Sequence, residues 1–202
     1  MEYVANQITL RGSLASLPEF SHENHGKRFY KMSLEVPRLS GTVDTLPVIL
    51  PEHLLYDLDP SGGEQIFVRG QVRSFHNPHG DGPRLLIFVF GEEVCSDDEE
   101  PCNEVYIEGT VGKEPVYRRT PLGREICDVM LSVKRTYGRS DYLPCIFWGR
   151  SAQEVSGCIP GDRVRLTGRL QSRIYRKVTE DGVILRTAYE ISALNTEVNP
   201  EE

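Results

Sequence analysis

The sequence predicts an all-β chain folded as two tandem five-stranded barrels, each with at most one short helix. Three observations predict it: an internal repeat, period-two alternation of apolar residues in both copies, and glycines at matched inward positions. A chain of 202 residues suits two small domains.

The repeat begins with Asn6-Gln7-Ile8-Thr9-Leu10-Arg11-Gly12, which matches Asn103-Glu104-Val105-Tyr106-Ile107-Glu108-Gly109 at an offset of 97. The same offset aligns Pro18 with Pro115, Arg38 with Arg135, Asp44 with Asp141, and Leu46-Pro47 with Leu143-Pro144. Further on the offset becomes 98, and Gly63 to Gly70 aligns with Gly161 to Gly168. One inserted residue is what a surface loop tolerates. Between the copies lies Ser96-Asp97-Asp98-Glu99-Glu100-Pro101, whose like charges and closing proline read as a solvated connection. The expected division is a first barrel over 1–95, an acidic linker over 96–102, a second barrel over 103–195 and a short acidic tail over 196–202.

Within the copies, Ile8, Leu10, Gly12 and Leu14 share one parity, as do Val105, Ile107, Gly109 and Val111. Met32-x-Leu34-x-Val36 matches Val129-x-Leu131-x-Val133, and Ile66-x-Val68-x-Gly70 matches Val164-x-Leu166-x-Gly168. Such alternation argues for strands with one buried face. Gly12, Gly109, Gly70 and Gly168 fall on the inward parity, where strand coiling or close approach needs them. Asp81-Gly82 and Asp181-Gly182 read as hairpin tips. Gly149 to Gly157, with Ala152 and Val155, is the helix candidate of the second copy. Five strands with a helix between the third and fourth is the layout of the OB barrel.

The net charge of −7 divides unevenly: residues 1–102 carry −8, residues 103–194 carry +4, and the remainder −3. Twelve of the fifteen cations in 103–194 are arginines. One basic half and one acidic half lie behind the whole-chain value. No stretch approaches the ~20 apolar residues of a membrane span, and Met1 to Asn6 shows no basic and apolar leader, so a cytoplasmic, nucleoid-associated chain is expected. Five cysteines without a Cys-x-x-Cys pair argue against a zinc ribbon or a disulfide scaffold. Reduced thiols are expected, with Cys95 and Cys102 the pair placed to join under oxidation across the acidic junction. His22/His25 and His76/His79 fall in expected loops and read as solvated. No phosphate-cradling Gly-x-x-x-x-Gly-Lys and no His-Glu-x-x-His is present, so neither catalysis, metal nor cofactor is expected.

The second copy resembles the bacterial single-stranded DNA-binding protein family, in its tandem OB-fold form. The carrying residues are Asn103-x-Val105-x-x-x-Gly109 with Pro115, Phe147-Trp148-Gly149-Arg150 with Ala152 and Val155, and Gly161-Asp162-x-Val164-x-x-x-Gly168-Arg169-Leu170-Gln171-Ser172-Arg173-x-Tyr175. The first copy resembles the family mainly through the second, and primosomal replication protein B is a near relative. The resemblance implies sequence-tolerant binding of single-stranded DNA in replication, recombination or repair. It also implies a homo-oligomer, a dimer for two barrels per chain. The family's acidic tail with an apolar tip is not matched by Asn195 to Glu202. The competing reading is an OB module whose acidic first copy docks a replication protein, with little or no DNA binding.

Comparison of the copies selects the binding candidates. Tyr137, Tyr142, Trp148 and Tyr175 stand where the first copy has Ser40, Thr45, Pro51 and Asn77. Their positions match those where the family places base-stacking aromatics, and stacking tolerates any sequence because every base has a π-face. The outward parity of the fourth strand reads Arg163, Arg165, Thr167, Arg169, Gln171, Arg173, Tyr175, Lys177. Arginine bonds phosphate bidentately and stacks on bases. Arg135, Arg139 and Arg150 lie beside the aromatics as second-rank candidates. The second barrel is therefore the expected nucleic-acid face, and the first is expected to be degenerate for it.

Overall fold

The computed structural model describes residues 5–58, 65–78, 82–96, 98–136, 138–179 and 182–200. The first half holds β1 (Asn6–Asn24), β2 (Lys27–Pro37), β3 (Val43–Pro51), a 3-10 turn (Glu52–Asp57), β4 (Gln65–His76) and β5 (Leu85–Ser96). The second holds β6 (Cys102–Val111), β7 (Val116–Arg119), β8 (Glu125–Lys134), β9 (Ser140–Trp148), α1 (Gly149–Ser156), β10 (Arg163–Thr179) and β11 (Gly182–Val198).

Each half closes on its own strands. β1 pairs with β2 and β4, β2 with β3, β4 with β5, and β3 meets β5 in parallel at Val48↔Val89. In the second half β6 pairs with β8 and β10, β8 with β9, β10 with β11, and β9 meets β11 in parallel at Cys145↔Ile191. The sixth strand there, β7, is the detached end of β6: Gly112 to Pro115 interrupts the run that β1 makes with register shifts between Leu14 and Glu19. Inward alternation fills both barrels, with Ile8, Leu34, Leu46, Leu50, Ile66, Ile107, Leu131, Phe147, Leu166 and Leu170 all fully buried. The inward glycines mark close approach: a Cβ on Gly70 would lie 2.0 Å from the Phe90 carbonyl oxygen, and one on Gly168 2.1 Å from that of Ser192. Both sit at a register shift between the last two strands of their barrel.

The two barrels do not stand as separate sheets. β1 pairs antiparallel with β6 from Asn6↔Ile107 to Arg11↔Cys102, which joins the barrels into one eleven-stranded sheet. Because β1 and β6 are repeat equivalents, this pairing carries a local twofold relation. Asn6 spends its backbone on β6, and its side-chain amide completes the ladder to β4, bonding the Val72 carbonyl (2.7 Å) and N–H (2.9 Å). Asn103 does the same to Leu170 at 2.7 and 3.0 Å. The ends of the expected linker, Ser96 and Cys102, belong to strands, and Glu99 within it pairs with Arg11 at 2.9 Å. The tail expected from residue 196 is corrected too: β11 runs on to Val198, paired with Val164. The turn residues Asp81 and Asp181 lie outside the described residues.

Two further expectations change. Cys95, Phe67, Arg11 and Cys102 lie in one row across four successive strands. Three strand spacings separate the cysteines by ~14 Å, far beyond disulfide reach. His22 lies in β1, stacked on Phe29 at 4.9 Å, and His76 ends β4; His79 lies outside the described residues. No helix among the described residues is long and apolar enough to cross a membrane.

Candidate nucleic-acid interface

β9 and β10 place the candidate aromatics by alternation. Leu143, Cys145 and Phe147 point into the barrel, so Tyr142 and Trp148 point out, at 51% and 37% exposure. Trp148 is held by its indole N–H, which donates to Ser192 Oγ on β11 at 3.1 Å. Tyr175 is outward on β10, with the Arg173 guanidinium 5.9 Å from its ring centroid. The parallel β9–β11 register and the antiparallel β10–β11 register put Tyr142 at the level of Ala188 and Arg173, one step from Tyr175. Trp148 sits about six residues along, ~20 Å at strand rise. The three aromatics thus form a track along the strands and not one cluster. Tyr137 lies outside the described residues.

The arginine row divides in two. Arg163 and Arg165 both donate to Glu108, at 2.6 and 3.1 Å, and Arg165 also pairs with Glu197 at 2.8 Å. The Glu108 hydrogen bond lifts the Arg165 guanidinium above its ordinary pKa. Three of the four arginines of the row thus have a carboxylate partner, most closely Arg163 and Arg165. Further along, Arg173 stands 3.6 Å from Glu190, which accepts from Gln171 at 3.0 Å. Arg169 makes one 3.4 Å contact to Gln171, and its Nε is buried without a hydrogen-bond partner. Lys177 is exposed near the end of β10.

Arg135, a second-rank DNA candidate, lies at the seam. It forks onto Asp141 and donates at 3.1 Å to the Ser74 carbonyl of the other half. Asp141 accepts the Ser74 N–H at 2.7 Å. Asp44 makes the mirrored set, accepting from Arg38 and from the Ser172 N–H and hydroxyl at 2.7 and 2.9 Å. Burial pushes the Asp44 pKa up, but the Arg38 and Ser172 donors outweigh it and hold it below the ordinary carboxylate value. Arg139 is exposed in the β8–β9 turn, and Arg150 is 92% exposed beside Glu154.

Copy comparison missed a cluster on the first barrel. The Arg73 guanidinium lies 3.9 Å from the Phe90 ring centroid, Phe90 is 6.0 Å from Phe29, and His22 stacks on Phe29. Phe90 is the repeat counterpart of Ser192, so the first barrel carries its aromatic on the strand beside the one that carries Trp148. Matching columns of the repeat could not find a ring moved to a neighbouring strand. Reading the outward parity of β5, with Phe88 and Phe90, would have.

Residues 102–198 match the model of the Single-strand binding protein family. Single-stranded DNA-binding protein B of Bacillus subtilis (strain 168) is 32% identical over 88 residues, covering 40% of this chain and 76% of that protein. Single-stranded DNA-binding protein 1 of Staphylococcus aureus (strain COL) is 34% identical over 80 residues, covering 36% of this chain but only 48% of its own length. The likeness of fold extends over both halves: the wild-type single-stranded DNA binding protein from Thermus aquaticus superimposes with a TM-score of 0.79 at 22% identity, covering 98% of this chain and 94% of that one. The sequence likeness falls on the barrel with the aromatic track and the fold likeness on both barrels, and the chain belongs to the single-strand binding protein family.

Proposed function

We propose that this chain binds single-stranded nucleic acid, DNA in the first place, without sequence preference and without catalysis. The observation that carries the reading is the outward track of exposed Trp148 and Tyr142 and half-buried Tyr175, with Arg173 and Arg169 beside it. Rings give sequence-tolerant stacking, and the guanidiniums supply phosphate attraction. The basic second half is the main binding half, and the work it serves is replication, recombination or repair.

Assembly as a dimer belongs to the same proposal. Beyond the barrel, among the described residues, β10 and β11 pair only with each other, and Ile174, Val178, Val183 and Leu185 are exposed around Arg176 on one face of that ribbon. A two-stranded ribbon with a bare apolar face is stabilised by a cover, and a second copy supplies one.

A salt titration with a labelled dT oligonucleotide tests the reading. Affinity should fall steeply as salt rises, with Trp148 fluorescence quenched on binding. The pairing of Glu108 and Glu197 with the arginine row favours the second reading, a protein-docking module with the acidic first half as its contact surface. No quench at low salt would select that reading.

A further inference from the structure

A cleft of about 530 Å³ opens on the seam between the halves. Lys31, Pro47 and Phe88 line it from the first half, and Pro144, Tyr175 and Tyr189 from the second. We propose that this cleft takes a nucleobase of the bound strand, and so leads the strand from the second barrel onto the first. The proposal rests on the single-strand-binding reading above.

Three observations support it. The volume lies within the ~300–1,000 Å³ of small-ligand sites, enough for a base and its sugar. Tyr175 belongs to the cleft and to the aromatic track at once, so the track opens into the cleft without a gap. Among the described residues no carboxylate lines the cleft, although the chain carries a net −7, and the one charged residue of that lining is Lys31, paired with Glu19 at 3.6 Å. A base therefore meets rings and prolines there, with the Lys31–Glu19 pair beside it.

The cleft straddles the local twofold axis between the repeats. Pro47 and Pro144 are repeat equivalents and both line it. On the mirrored side, Asn77 stands in the place of Tyr175, and Glu190, bonded to Gln171, in the place of Phe88. Repeat symmetry alone would give a cleft on the axis two like flanks, and the divergence between the copies makes the flanks differ.

The test is photo-crosslinking of the full chain to a dT oligonucleotide carrying 5-iodouracil, with adducts mapped by mass spectrometry. The expected result is adducts on Phe88 or Tyr189 in addition to those on Trp148 and Tyr142. F88D, which puts a carboxylate in the cleft, should weaken a long dT oligonucleotide by about tenfold, the loss expected of one stacked base. Quenching of Trp148 by a short one should be unchanged. Adducts confined to Trp148 and Tyr142, with normal quenching, overturn the inference and leave the binding reading standing. No quenching by any oligonucleotide at low salt overturns both. The adduct map is read on the unaltered chain, so it decides the matter even if F88D does not fold.

Discussion

Ile8 and Val105 occupy the same place in the two repeats, and they pair with each other across the β1–β6 ladder. A residue paired with its own repeat equivalent places a local twofold axis between them. The reciprocal contacts follow from it: Asp44 with Ser172 on one side of the axis, Asp141 with Ser74 on the other. The barrels are thus joined by a shared sheet and by the hydrogen bonds that one ion pair in each half makes to a serine of the other.

That seam predicts a stability cost. Replacing Asp141 with Asn leaves Arg135 poorly compensated beside the Ser74 carbonyl, and a loss of about 3 kcal/mol is expected. Urea unfolding of the full chain measures it. A midpoint equal to that of the unaltered chain would mean that the ion pair contributes nothing net.

The seam also predicts a pH dependence. The Asp44 pKa is lower in the folded chain than in the unfolded one. Its contribution is therefore fully present above the ordinary carboxylate pKa and is lost as pH falls through the folded value. The destabilisation caused by Asp44→Asn should be large at neutral pH and shrink below pH ~4. An unchanged difference at both pH values counts against the assignment.

Trp148→Ala and Tyr175→Ala should each weaken binding to dT by about 1–3 kcal/mol. Phe75→Ala, on the first barrel and 56% exposed, should leave affinity as it was. Because the two barrels share a sheet, point variants of the full chain compare the halves more cleanly than a cut near residue 100. Equal losses for Phe75→Ala and Trp148→Ala would end the claim that the second barrel dominates.

The arginines should differ from one another. Arg173→Ala should flatten the dependence of log affinity on log salt by about one unit, as for one lost phosphate contact. Arg165→Ala should change the slope less, since Glu108 and Glu197 already hold its guanidinium. A larger slope change for Arg165 reverses the ranking.

Thiol labelling should be selective. Burial pushes Cys127 up to about 11 and raises Cys145 further, whereas Cys95 is exposed. A thiolate-directed reagent at neutral pH should modify Cys95 first and spare Cys127 and Cys145. Rapid labelling of Cys145 in the folded chain would contradict its burial.

The sequence by itself determined the two barrels, because strand parity and inward glycines are local patterns that each copy states independently. It determined α1 as well, and the outward aim of Tyr142 and Trp148, since one buried neighbour fixes the direction of the next residue. Tertiary structure decided how the barrels meet. The strand edges of β1 and β6 can pair with many partners, and only the assembled chain shows that they choose each other. It decided the fate of the arginines too: Arg135 and Arg165 look alike in a row of letters, yet Asp141 and Glu108 reach them from other strands. The cleft at Tyr175 is a property of the same kind, made where two halves that fold by local rules come to lie side by side.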